Sequence, residues 1–243
     1  MLRLVERLDF AYIDCDESVL FKGGSKEKKQ PIGCFAWLLK DDKTGKYLLV
    51  DTGVNDIDAV NGTKKGTSVW HRGHNGMSLA EHLQRLGITP SEVDAVIITH
   101  SHYDHISGVV SLPFSKIYIT KAAFEFLIDI ENPNAKYLAD SVKFIKEQQE
   151  KNLVIFTLDG DEVADGLTVI HAKAHTSGDQ LVRLNNDCGS YLFTGDSLFL
   201  RENIERNLPI GFGNDEEEAI TVLNLCKVFK GEIMTGHDLC CII

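Results

Sequence analysis

Residues 94–108, DAVIITHSHYDHISG, govern how the rest of the chain is read. The apolar run over 95–99 is too short for a helix and rich in Val and Ile, which makes it a buried strand. At its end His100, His102, Asp104 and His105 crowd into six positions. On an extended chain His100, His102 and Asp104 share one face while His105 points away. The backbone must therefore turn after Thr99 to bring all four inward. A compact turn directs His100 and His102 to one ion, and Asp104 and His105 to its neighbour. The helical metalloprotease arrangement, two histidines four apart around a glutamate, is absent.

Other short runs rich in Val, Ile, Leu, Phe and Tyr read as strands: 34–39, 47–50, 116–120, 153–158, 167–172, 180–184, 191–194 and 232–235. Several stop at the same kind of residue. The run over 47–50 ends at Asp51 of DTG, 167–172 leads to His175 of HTSGD, 191–194 leads to Asp196 of TGDS, and 232–235 leads to His237 of TGHD. Where helices cover a sheet, the loops beyond one sheet edge form the binding crevice. If these ends converge, His100, His102, Asp104, His105, His175, Asp196 and His237 make a cluster of five imidazoles and two carboxylates, enough for two ions.

Helical signals lie between the strands. Ser78 and Glu81 stand at capping-box spacing ahead of Leu79, Leu83 and Leu86, and Gly87 stops the pattern. Residues 121–130, 135–151 and 215–229 also read as helices, the last with acidic residues at the positive end of its dipole. Interleaved strands and helices imply sheets covered by helices, an α/β chain expected to form a single domain over residues 1–243. The stretch over 56–76 has no periodicity and much Gly, Asn and Lys, the composition of a long functional loop. His71 and His74 fall within it. His82 and His171 read as ordinary helix and strand residues.

A formal charge of -11 disfavours a nucleic-acid partner, because such binding depends on Lys and Arg displacing counterions. Charges every few residues at the N-terminus interrupt any signal-peptide core, and no window approaches a membrane span. The expectation is a cytoplasmic protein with a small-molecule substrate and no membrane partner. None of the six cysteines forms a Cys-x-x-Cys pair, so they read as reduced thiols outside the ligand set. Imidazole and carboxylate without thiolate is the donor set of catalytic zinc, with iron, manganese and cobalt also suited.

THSHYDH, DTG, HTSGD, TGDS and TGHD, in this order over residues 30–238, resemble the metallo-β-lactamase superfamily. The resemblance implies a four-layer αβ/βα sandwich: two mixed β-sheets with helices on both outer faces and two zinc ions at one edge. It implies one ion on His100, His102 and His175, a second on Asp104, His105 and His237, Asp196 bridging them, and Asp51 orienting a ligand histidine. Within the superfamily the sequence is most similar to N-acyl homoserine lactonases. That implies a hydrolase opening a lactone or related ester, with Asp104 passing a proton to the leaving group. Two positions depart from that pattern: Phe199 stands where those lactonases carry a tyrosine, and Asp179 where the family motif has a second histidine. Phe199, Tyr103, His71 and His74 are the candidates for the substrate pocket. Phe199 also resembles the hydroxyacylglutathione hydrolases, so thioester hydrolysis of the glyoxalase II kind is an alternative. A mononuclear iron persulfide dioxygenase is another.

Overall fold

A computed structural model describes residues 1–63, 71–72, 77–129 and 135–240. The elements in chain order are β1 (Leu2–Asp16), α1 (Glu17–Leu20), β2 (Lys29–Asp41), β3 (Tyr47–Val50), α2 (Ile57–Thr63), β4 (His71–Arg72), α3 (Leu79–Arg85), β5 (Val93–Ile97), α4 (Tyr103–Ile106), β6 (Lys116–Ile119), α5 (Lys121–Ile128), α6 (Ala135–Glu150), β7 (Val154–Phe156), β8 (Glu162–Ala164), β9 (Leu167–His171), β10 (Gln180–Asn186), β11 (Gly189–Gly195), α7 (Arg201–Arg206), α8 (Glu216–Val228) and β12 (Glu232–Thr235).

These strands form two mixed sheets, β4-β1-β2-β3-β5-β6-β7 and β12-β11-β10-β9-β8. In the first, β3, β5, β6 and β7 run parallel; in the second, only β11 and β12 do. β5 explains its own unbroken apolar run, because both of its faces are buried. Ala95 and Ile97 point into a layer shared with Trp37, Leu39, Val50, Leu167, Val169, Val182 and Phe193, drawn from both sheets. Val93 and Val96 join a second core with residues of the flanking helices, among them Leu79, Leu83, Phe124, Leu127, Val222 and Leu223. The expected αβ/βα sandwich is therefore present.

Local signals explain the helix ends. Ser78 and Glu81 form the reciprocal capping box at α3, Thr120 caps α5, and Asp215 caps α8 by accepting from the amides of Glu217 and Glu218. β1 carries no clean alternation in its sequence. Bulges between Leu4 and Glu6 and between Asp9 and Ala11 shift its register against β2, so charged and apolar positions change phase along one long strand. The stretch over 56–76, expected as loop, holds α2 and β4 among its described residues. Among the described residues no helix is long and apolar enough to cross a membrane.

Gln180 ties the two sheets together directly beneath the strand ends. Its backbone amide donates to the Thr99 carbonyl at 2.8 Å, its Nε2 to the Ile98 carbonyl at 2.7 Å, and its Oε1 accepts from the Thr157 hydroxyl at 2.7 Å.

Candidate metal centre

The β5 strand ends, and the backbone turns, where the sequence requires it. His102 occupies the N-cap of α4, and Asp104 and His105 lie within that single turn. His175 follows β9, Asp196 follows β11 and His237 follows β12, so all seven predicted residues meet at one edge of the sandwich.

They form two groups. Nε2 of His100 and Nε2 of His175 lie 3.0 and 2.9 Å from Nδ1 of His102. Asp196 Oδ2 stands 3.6 Å from His100 Nε2 and 3.3 Å from His175 Nε2. In the second group, Asp104 Oδ2 is 3.9 Å from His105 Nε2 and 4.0 Å from His237 Nε2. The other oxygen of Asp196, Oδ1, is 3.0 Å from His105 Nε2 and 2.9 Å from His237 Nε2. Asp196 thus turns one oxygen to each group.

The donors suit a cation. Ligands at ~2.0–2.1 Å from a tetrahedral zinc sit roughly 3.3 Å from one another, close to these spacings. Among the described residues His105 Nε2 and Asp196 Oδ1 are buried and make no hydrogen bond although 3.0 Å apart. Three imidazoles are fixed from behind: His175 Nδ1 pairs with the Phe212 carbonyl at 3.0 Å, His237 Nδ1 with the Gly33 carbonyl at 2.6 Å, and His105 Nδ1 with Asp51 Oδ2 at 2.8 Å. Each such bond places the proton on Nδ1 and leaves the Nε2 lone pair facing the cluster.

The electrostatics divide along the same line. Burial, then the neighbouring imidazoles against the pull of Asp196, hold His100 well below the usual imidazole range. Burial and His175 bring His102 down to about 4. At His105 burial also opposes charge, but Asp196, Asp51 and Asp104 outweigh it and hold the ring well above its ordinary value. His237 is raised in the same way by Asp196 and Asp104. Burial opposes ionisation of Asp196, yet His237, His105 and His100 keep it well below the usual carboxylate range. A site that draws protons onto two imidazoles is one whose carboxylates attract positive charge.

The surrounding backbone is shaped to these side chains. Asp51 adopts a left-handed φ of 60°, and its carboxylate accepts from the Thr99 amide and the Thr99 hydroxyl, both at 2.8 Å, as well as from His105. Gly195 has a φ of +49°, and a Cβ there would lie 2.6 Å from Thr99 Oγ1. The chain leaving His237 is held by Arg7 of β1, which donates to the carbonyls of Asp238 and Leu239 at 3.2 and 3.3 Å while its guanidinium lies 4.1 Å above the Phe35 ring.

Aromatic rings pack on the cluster. Phe199 is buried, 5.4 Å from the His175 ring and stacked on His237 at 5.5 Å. Phe212, more than half exposed, lies 5.4 Å from His175, and Phe126 lies 6.1 Å from His102. Tyr103 packs against the helix-side core. His71 is exposed and stacked on Tyr12 at 5.1 Å, on the strand next to Gly33. His74 lies outside the described residues. The sequence reading did not single out Arg7, Gly33, Phe126, Thr99, Ser197 or Phe212. Each acts through a backbone group, a hydroxyl or a ring that forms no pattern along the chain.

Comparison with known proteins agrees with this geometry. Residues 30–237 match the family model of the metallo-beta-lactamase superfamily. An N-acyl homoserine lactonase of Bacillus sp is 28% identical over 220 residues, covering 86% of this chain and 82% of the relative. The crystal structure of an N-acyl homoserine lactone hydrolase, with N-hexanoyl-L-homoserine bound at its catalytic metal centre, superposes with a TM-score of 0.80 at 19% identity, covering 98% of this chain and 94% of the other. A dizinc quorum-quenching lactonase superposes at 0.72 with 16% identity, covering 99% and 91%. The match spans every strand end that delivers a His or Asp to the cluster, and the chain belongs to the metallo-beta-lactamase superfamily.

Proposed function

We propose that this metallohydrolase opens a lactone or a related ester at a dinuclear zinc site. The observation that carries the reading is Asp196, itself buried, with one carboxylate oxygen toward each of two donor groups. In this reading His100, His102 and His175 hold one ion, Asp104, His105 and His237 hold the other, and Asp196 is shared. Asp51 keeps His105 in the tautomer that presents Nε2. The lactonase relatives support the bond class.

When bound, such a pair of ions lowers the pKa of a shared water toward neutrality and polarises the substrate carbonyl. The chain supplies the rest. Asp104 turns Oδ2 to His105 and His237, so its Oδ1 is the atom that receives a proton and returns it to the leaving alkoxide. Phe199, Phe126 and Phe212 keep water from the imidazole edges and offer the substrate an apolar wall. Phe199 has no hydroxyl to stabilise an oxyanion, so that stabilisation must come from elsewhere in the site for an ester and a thioester alike. The second donor group is as convergent and as well backed as the first, which favours a dinuclear over a mononuclear iron centre.

The test is turnover of a panel of lactones, esters and thioesters by zinc-replete protein. We expect lactone opening, and a drop of about 10²–10⁴-fold in kcat for Asp104→Asn when both proteins are compared at saturating zinc. Absence of turnover across the panel, or an Asp104→Asn variant as fast as the parent, overturns the reading.

A further inference from the structure

The loop that delivers His175 is closed by a carboxylate at the position where the family motif carries a second histidine. Asp179 is buried, and its two oxygens accept from four donors. Oδ2 takes the His175 amide at 2.6 Å and the Ser197 hydroxyl at 3.1 Å; Oδ1 takes the Thr176 amide at 2.9 Å and the Thr176 hydroxyl. Three of these belong to the turn itself. The fourth, Ser197, belongs to a different strand end and directly follows Asp196.

An imidazole in this place has at most one free lone pair and can accept a single hydrogen bond. Only a carboxylate satisfies both residues of the His175 turn and reaches Ser197 as well. We propose that Asp179 is a positioning residue that fixes His175 relative to Asp196 through Ser197. It thereby governs occupancy of the ion assigned to His100, His102 and His175; this rests on the dinuclear reading above. The gap it controls is the 3.3 Å between His175 Nε2 and Asp196 Oδ2. The other side of that loop is anchored separately, by the Asn214 amide on the Ala174 carbonyl at 2.7 Å and by His175 Nδ1 on the Phe212 carbonyl. Loss of the strut therefore shifts one ligand relative to another and leaves the loop folded.

The test uses the full chain, with zinc content and chelator competition read first and the visible bands of the cobalt(II)-loaded protein second. Asp179→Asn keeps the shape but sets an amide N–H against a donor. We expect it to weaken one ion by roughly 10–100-fold while the other binds as in the parent, with altered cobalt bands and an unchanged far-UV spectrum. In a His237→Ala background, which removes a ligand of the second group, the loss on Asp179→Asn persists. Ser197→Ala gives a smaller loss in the same direction, and the double variant is no worse than Asp179→Asn alone.

Parent-like affinities and bands in Asp179→Asn overturn the proposal, as do losses that simply add in the double variant. If Asp179→Asn fails to fold, Ser197→Ala decides: unchanged affinity and bands overturn the strut. Failure of the parent chain to bind any divalent ion overturns the metal reading itself, and the parent's own titration separates that result from the others.

Discussion

His82 carries the same side chain as the clustered histidines and lies apart from them. It is buried in α3 with its ring edge-on to Phe10, Nε2 on the Asp9 carbonyl at 3.0 Å and no partner for Nδ1. Burial lowers its pKa from the ordinary 6.5. The folded state therefore binds this proton less well than the unfolded chain, so stability is unaffected well above pH 6.5 and falls as pH drops below it. His82→Gln keeps a donor for the Asp9 carbonyl and does not titrate. We expect metal-replete parent protein to lose more urea stability than His82→Gln between pH 7 and roughly 5, read as the difference between the two midpoints. Its place within a helical pattern, away from any strand end, separates His82 from His175 and His237. The seven clustered residues were legible as a set, because each follows an apolar strand at a family motif. Arg7, Thr99 and Ser197 were not, since contacts to a backbone carbonyl or a distant carboxylate leave no mark on residue order.

At the scale of elements, strand ends carry the site, and most strands were legible because β5, β10 and β11 are apolar runs cut off by polar residues. β1 was not, because its bulges move charged residues across the period of two that marks a strand. The contacts that align one sheet with the other were equally silent. Gln180 is the clearest of them, and Gln180→Leu preserves its backbone bond to Thr99 while stripping the Ile98 carbonyl and the Thr157 hydroxyl of a buried partner. An unpaired buried group costs about 1–3 kcal/mol. We expect a lower denaturant midpoint by a loss of that order, with an unchanged m-value. Weaker zinc binding should accompany it, since the Ile98 carbonyl lies two residues before His100.

Across the whole molecule, the order of motifs made the sandwich legible before any contact was known, whereas the alignment of its two sheets had to come from the structure. Four buried imidazoles, the half-buried His102 and two buried carboxylates meet at one edge of a chain of net charge -11. Folding without a cation leaves those carboxylates only His105 and His237 as counterweights, so ion binding and folding are linked. We expect a chelator to lower the melting temperature reversibly, with zinc restoring it; an ion present at a thousandfold over its Kd contributes about 4 kcal/mol. A melting curve indifferent to chelator and zinc would contradict this. Arg7 and His237 add a consequence in time. Asp196 completes the first donor group before β12 is made, whereas the second closes only when the last strand comes back to the first and Arg7 grips the carbonyls beyond His237. The order of translation is thus also the order in which the two donor groups are completed, since His100, His102, His175 and Asp196 are all made before His237.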